Sequence, residues 1–562
     1  MKRNVQIGLF VLSSLLLTTT CKDLDLDSIT DGVVLNLNFD VFRTPVILNF
    51  VDASPSNTNP PSNLNVRITG PDQNRVYTTD GQRDITAQDG FMEISVDRQD
   101  PITPDNPLQL TVVAEAPGYL KTVQNVTLYD TSFQFIPVNM VSLTNLPQGV
   151  SRTNGTFAVT TTGASSNAAF ATPLPNGKQE RASVTVRSGT RVRDANGNEL
   201  TGTVNVDMVH FDNRSEQSLN AFPGGLVADN VIGPDGNPLD PLQFVSAGFI
   251  ALDMNVGNRE VKTFSRPVEV TVGINPNTIN PETGMTVRPG DTIPVWSLND
   301  DTGQWTYESE TVIRMNPIGQ MEAEFEADHL SWWNLDWFYG NRCTWREPVT
   351  LNLQSNFEGD NTPFAIARLV DDNTGARFGW PRWVNLRNNT PMRLYNIPSD
   401  RTLRLQILNS ANYYCQSVVY ESAPFSTSCQ SHINIDVSNY QPNNNLLVQA
   451  AVAGICEGEN ADIQVRPSAW IYFRESGCNY WSYLSYIFRG GFYSNRLELG
   501  AFYDFRVYYG GQRYDFTDVP MQSTTITVED YTLDIELDNG VAYFNIQNLR
   551  VPDQYCDDLL GG

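Results

Sequence analysis

Lysine is nearly missing from this chain. Five occur in 562 residues, the last at Lys262, so the final 300 residues carry positive charge on arginine alone. That excludes a lysine-based isopeptide staple in the C-terminal half. Histidine is scarcer still, at His210, His329 and His432. With no CxxC pair in the chain either, this scarcity argues against a cysteine–histidine zinc site. No G-x-S-x-G elbow, H-E-x-x-H helix or phosphate-binding loop is present, so neither catalysis nor a cofactor nor a metal is expected. Each histidine reads as a core or capping residue. Paired carboxylates stay open, because acids are spread along the whole chain. Basic residues as a class are few: 37 against 63 acidic, a formal net charge of −26. No basic stripe exists to neutralise phosphates, which excludes nucleic acid as a partner, and such acidity disfavours lying on an anionic leaflet. Long apolar runs are absent beyond Leu17, and no amphipathic helix longer than two turns is legible after that point.

What is there begins at the N-terminus. Lys2 and Arg3 precede the apolar stretch Ile7–Leu17, too short to span a bilayer, and small residues lead to Cys21. This is the layout of a secretory signal. A cysteine directly after it resembles a bacterial lipobox, with Thr18-Thr19-Thr20 where Leu-Ala/Ser-Gly/Ala usually stands. The resemblance implies that Cys21 is acylated and heads the mature chain. Lys22, Asp23 and Asp25, with Asp27 following, resemble the export tag of surface lipoproteins in the Bacteroidota. This implies an outer-membrane, lipid-anchored protein facing the cell exterior, joined to the membrane by an acidic tether.

Beyond the tether, apolar and polar residues alternate, as at Val204–Val206–Met208, Val268–Val270–Val272 and Leu403–Leu405–Ile407, with turns such as Asn196-Gly197 and Asp235-Gly236 between them. The expected fold class is all-β, antiparallel sandwiches in series. The length calls for several cores. The chain divides into a signal peptide at 1–20, a tether at 21–31, sandwiches at 32–145 and 146–340, and two repeats at 341–445 and 446–562. In the first, Val34–Leu37, Leu64–Ile68 and Leu110–Ala114 read as strands. The stretch 112–128 resembles the late strands of carboxypeptidase-regulatory-like, transthyretin-like sandwiches, with Gly118-Tyr119 as the turn. Segments 183–211, 221–230, 293–310 and 329–337 resemble, in order, a β-domain of the cartilage intermediate layer proteins, which implies a non-enzymatic extracellular module. The repeats rest on an offset of one hundred residues. Leu403, Leu405 and Ile407 match Tyr503, Phe505 and Val507, and Ile433, Ile435 and Val437 match Leu533, Ile535 and Leu537.

Three features are candidates for function or stability. Six cysteines after Cys21 suit oxidised pairing in an exported protein. Local staples Cys415–Cys429 and Cys456–Cys478 are expected, leaving Cys343 and Cys556 to meet if the module's ends meet. Trp470, Tyr472, Tyr480, Trp481 and Tyr483 head an aromatic-rich stretch in which alternation puts about half the rings in solvent; a glycan- or partner-binding patch there stands against simple cross-strand pairing. Trp296, Trp305, Trp332, Trp333 and Trp337 read as core, with a sugar platform at the last three as the alternative. Asp194, Asn196 and Asn198 have a calcium loop's oxygen spacing without its closing glutamate, and so read as a turn; Asp229, Asp235 and Asp240 are a similar acidic group. The expected role is a structural or accessory subunit docked on an outer-membrane β-barrel or other envelope protein. The alternative is glycan binding or adhesion.

Overall fold

The computed structural model describes residues 42–554 and 556, apart from 58, 80, 175–179, 340–341, 360–361, 410–416, 442–444, 459–462, 479, 510–511, 529–530 and 539. Cys21, the tether residues Lys22, Asp23 and Asp25, the expected strand Val34–Leu37 and Cys415 lie outside them. Nearly everything described is strand or turn; the one α-helix among the described elements is the five-residue Glu216–Asn220. The alternating positions are core. Val204, Met208, Val268, Val270, Leu403 and Ile407 are fully buried, while their polar neighbours point outward.

Each sheet draws its strands from one of four stretches of chain: 42–140, 150–339, 342–437 or 445–551. Three of the four share one topology. In the first sandwich, Phe42–Asp52 pairs antiparallel with Phe91–Asp97 and parallel with Gln134–Met140, opposite a sheet ordered Asn65–Thr69, Leu108–Glu115, Thr122–Leu128. In the third, Val349–Gln354 is flanked the same way by Thr390–Leu394 and His432–Asp436. In the fourth, Asn445–Cys456 is flanked by Gly491–Glu498 and Val541–Val551. The repeat offset is therefore right for Thr402–Leu408 and Phe502–Tyr509, each of which pairs with the first strand of its opposite sheet. It is wrong for the later strands. The counterpart of His432–Asp436 is Val541–Val551, which also runs parallel to its first strand, whereas Tyr531–Asp538 is an added strand beyond it.

That parallel pairing of first and last strands decides the disulfides, and the local staples are overturned. Cys343 bonds Cys429 and Cys456 bonds Cys556, with sequence separations of 86 and 100. Parallel neighbours have like ends together. Cys343 and Cys429 precede the first and last strands of the third sandwich, and Cys456 and Cys556 sit at or past the far ends of the corresponding strands in the fourth. Cys429 is thus not paired with Cys415, Cys456 not with Cys478, and Cys343 not with Cys556. Cys478 is also disulfide-bonded.

Gly118, at φ +80°, turns the chain between Leu108–Glu115 and Thr122–Leu128, and Tyr119 donates its hydroxyl to buried Asp52 at 2.9 Å. Asn196-Gly197 differs from the tight two-residue turn that the pair suggests. Val192–Arg193 and Glu199–Leu200 are joined by five residues, and of the pair only Gly197 has positive φ. The Asp194 carboxylate accepts the amides of Asn196 and Asn198 and an Arg259 guanidinium. That guanidinium holds it down at about 2, as a closed turn requires. Trp296 and Trp337 are fully buried, donating indole N–H to the carbonyls of Asp336 and Thr292. Trp305, Trp332 and Trp333 are buried too, so the sugar-platform alternative falls.

Candidate functional site: an open cavity between four sandwiches

The four sandwiches close on one another. The first and second share a core that includes Val113, Val123, Phe211, Phe222 and Trp305. Lys121 of the first bonds Asp301 of the second at 2.6 Å. The cores of the second and third are continuous, from Phe157 through Trp337 to Val437. Trp383 of the third packs on the core of the fourth, and the Arg496 guanidinium lies 4.9 Å over its ring.

The fourth then returns to the first. The face of its sheet that points away from its own core carries Trp470, Tyr472 and Tyr508, and it lies on the outward face of the first sandwich's sheet. Phe91 stacks on Tyr472 at 4.1 Å and Phe133 on Trp470 at 4.3 Å. Asn49 donates to the Trp481 carbonyl at 3.1 Å and Arg513 pairs with Asp89 at 3.0 Å. The Tyr472 hydroxyl donates to Glu93 at 2.7 Å, and burial pushes that carboxyl up. The aromatic patch is therefore no open platform. Tyr472 is fully buried, Tyr480 and Trp481 are buried, and Tyr483 meets Phe133 edge-on at 4.3 Å. Alternation did aim half the rings outward, but another sandwich covers them.

Closure leaves a cavity of about 1410 Å³, walled by all four sandwiches. Its charged wall residues are six arginines, Arg214, Arg342, Arg368, Arg377, Arg382 and Arg393, against Asp130, Glu216 and Asp229. The charge ratio of the whole chain is inverted there. Five of the six come from the third sandwich: Arg342 from Arg342–Cys343, Arg368 from Phe364–Asp371, Arg377 and Arg382 from Arg377–Asn385, and Arg393 from Thr390–Leu394. Arg368 and Arg377 share Glu216, at 3.4 and 2.5 Å. Arg342 stands beside Asp229 without bonding it. Its Nε and Nη1, and the Asp229 Oδ1, are shut from solvent with no hydrogen-bond partner. Burial lowers Arg342 to about 10, partly offset by Asp229, and raises Asp229. Arg382 is open to a water-sized probe yet surrounded by protein, as a cavity wall is. Burial lowers it to about 10 as well, and it has no carboxylate partner among the described residues.

Of the acidic group singled out in sequence, Asp229 joins this wall, while Asp235 closes its own turn on Asn237. Among the described residues no group of three or more His, Cys, Asp or Glu is placed to hold a metal. The histidines lie apart. His210 is buried in Gly202–Phe211, His329 contacts Asp328 at 2.7 Å, and His432 opens His432–Asp436. Sequence reasoning missed the cavity arginines, although a signal was present: residues 377–393 hold four arginines and no acid in a strongly acidic chain.

No protein-family model and no curated protein matches this chain. Among solved structures it is similar to the C-terminal fragment of the pilus adhesin SpaC from Lactobacillus rhamnosus GG, at 9% identity over 37% of this chain and 97% of that one, TM-score 0.14. It is similar also to the Bacillus anthracis TIE protein, at 8% identity over 87% and 74%, TM-score 0.12. A third is BcpA, the major pilin subunit of Bacillus cereus, at 9% identity over 70% and 98%, TM-score 0.12. At these identities and scores the likeness is a distant one between multi-domain β proteins and carries no activity, ligand or location to this chain.

Proposed function

We propose that this is a non-catalytic surface protein, held to the outer membrane by a lipid on Cys21 and acting as a binding or structural subunit beside an envelope partner such as a β-barrel. The observation that carries the reading is the closure of the first sandwich on the fourth. It turns four serial sandwiches into one body with a shared interior, a form suited to holding something rather than turning it over. The secretory layout before Cys21, the Lys22-Asp23-Asp25 tag and the acidic tether support the location. The motifs in 112–128 and in 183–337 support the finer reading of regulatory-like and cartilage-intermediate-layer-like modules.

Membrane fractionation tests the anchor. Cys21→Ser should move the protein to the soluble fraction, and its retention in membranes overturns the lipid anchor. Replacing Lys22 and Asp23 by Ala should protect the lipidated protein from protease added outside the cell. Unchanged shaving removes the surface assignment. Detergent extraction followed by affinity purification should bring down a β-barrel or other envelope protein, and recovery of the chain alone argues against a docked subunit.

A further inference from the structure

We propose that the arginine-walled cavity binds a small multivalent oxyanion, a ligand carrying two or more carboxylate or phosphate groups. The cavity is about 1410 Å³, larger than most small-molecule sites, so it has room for a polyatomic ligand with part of its water. The wall carries six guanidinium groups and three carboxylates. Two of its arginines have no carboxylate bonded to them among the described residues. Arg342 has Nε and Nη1 shut from solvent and unpartnered. Arg382 faces the cavity with no carboxylate contact among the described residues.

A buried charge is costly unless it is paired and hydrogen-bonded. Asp229 offsets Arg342 only by its field, since neither Arg342 Nε nor Nη1 nor Asp229 Oδ1 has a partner. A guanidinium presents a planar fork of donors matched to carboxylate and phosphate oxygens, and Arg382 is open to the cavity, so a bound oxyanion would give that charge a partner. Several forks around one space favour a ligand with more than one anionic group. The positive wall lies inside a chain of net charge −26, which would otherwise repel such a ligand. The inference goes beyond surface location, and its failure would leave that reading standing.

The test is calorimetric titration of the full mature chain with citrate and with pyrophosphate, against sodium chloride at matched ionic strength. Saturable binding of either, near one per chain, is expected. Citrate alone marks a carboxylate ligand, pyrophosphate alone a phosphate one, and binding of both the shared chemistry. Arg382→Gln should weaken binding by about tenfold or more, the loss of one charge-assisted pair. Arg342→Met separates a binding role from a structural one, because it removes a buried charge two of whose donors, Nε and Nη1, have no hydrogen-bond partner. Binding should fall while the melting temperature without ligand holds or rises. No saturable binding of either anion overturns the proposal. So does wild-type affinity in Arg382→Gln, or a lower melting temperature with binding intact in Arg342→Met.

Discussion

Reducing the fourth sandwich's disulfide is the most informative perturbation, because its size depends on which cysteines pair. Cys456–Cys556 closes a loop with a sequence separation of 100. In the chain-entropy treatment such a cross-link stabilises by about 4.7 kcal/mol, whereas a local Cys456–Cys478 bridge would give only about 3.4 kcal/mol. Cys343–Cys429, at a separation of 86, is worth about 4.6 kcal/mol on the same basis. The temperature shift then reports cooperativity. If the fourth sandwich unfolds alone, as roughly 100 residues, 4.7 kcal/mol is about 20 °C; if the whole body unfolds together it is about 4–5 °C. The stacked faces between first and fourth sandwiches favour the smaller value. Scanning calorimetry of a Cys456→Ser/Cys556→Ser variant measures it, after non-reducing peptide mapping has identified the pairs. A Cys456–Cys478 peptide, or a variant melting within a degree of wild type, would refute the reasoning.

Tyr472→Ala removes a fully buried ring stacked on Phe91 and the donor to Glu93; it should cost about 3–5 kcal/mol, read as a lower denaturant midpoint, and an unchanged midpoint refutes the interface. Burial raises the Glu93 carboxyl, so the folded state favours its neutral form. The stability this lends is complete below the ordinary carboxylate range and is lost as pH rises through the raised value. Glu93→Gln should therefore gain on wild type in melting temperature between pH 4 and pH 8, and a pH-independent difference sinks the argument. Asp336 is fully buried, pushed well above its ordinary value by burial, and accepts from Asn334. Asp336→Asn should fold normally and be relatively more stable above neutrality than below it, as circular dichroism melts at two pH values would show.

Local physics was legible, and assembly was not. The alternation at Val204–Val206–Met208 announced a strand with one buried face, and Asn196-Gly197 announced a turn, though a longer one than the pair suggests. Each is decided within a few residues. The disulfides were misread because parallel pairing of first and last strands joins residues about one hundred apart, and spacing along the chain favours near neighbours. The same blindness affected the aromatics. Alternation put about half of the rings in solvent, but whether water or Phe91 lies over Tyr472 is settled some 380 residues upstream. The cavity arginines left a trace, the acid-free run 377–393, yet a local excess of charge says nothing of the walls that enclose it.

The strand order shared by three sandwiches also has a mechanical consequence. In the first, Phe42–Asp52 runs parallel to Gln134–Met140 over the register Val46↔Gln134 to Asp52↔Met140. A membrane tether would pull on the start of one strand while the rest of the chain pulls on the end of the other, and these points lie at opposite ends of the pair. Tension then loads all the cross-strand hydrogen bonds together instead of peeling them one at a time. In the third and fourth sandwiches the disulfide across each pair carries that tension covalently, so the hydrogen bonds between the two strands are spared it. Lengthwise tension is thus met by a sheared strand pair in the first sandwich and by a covalent bond in the third and fourth.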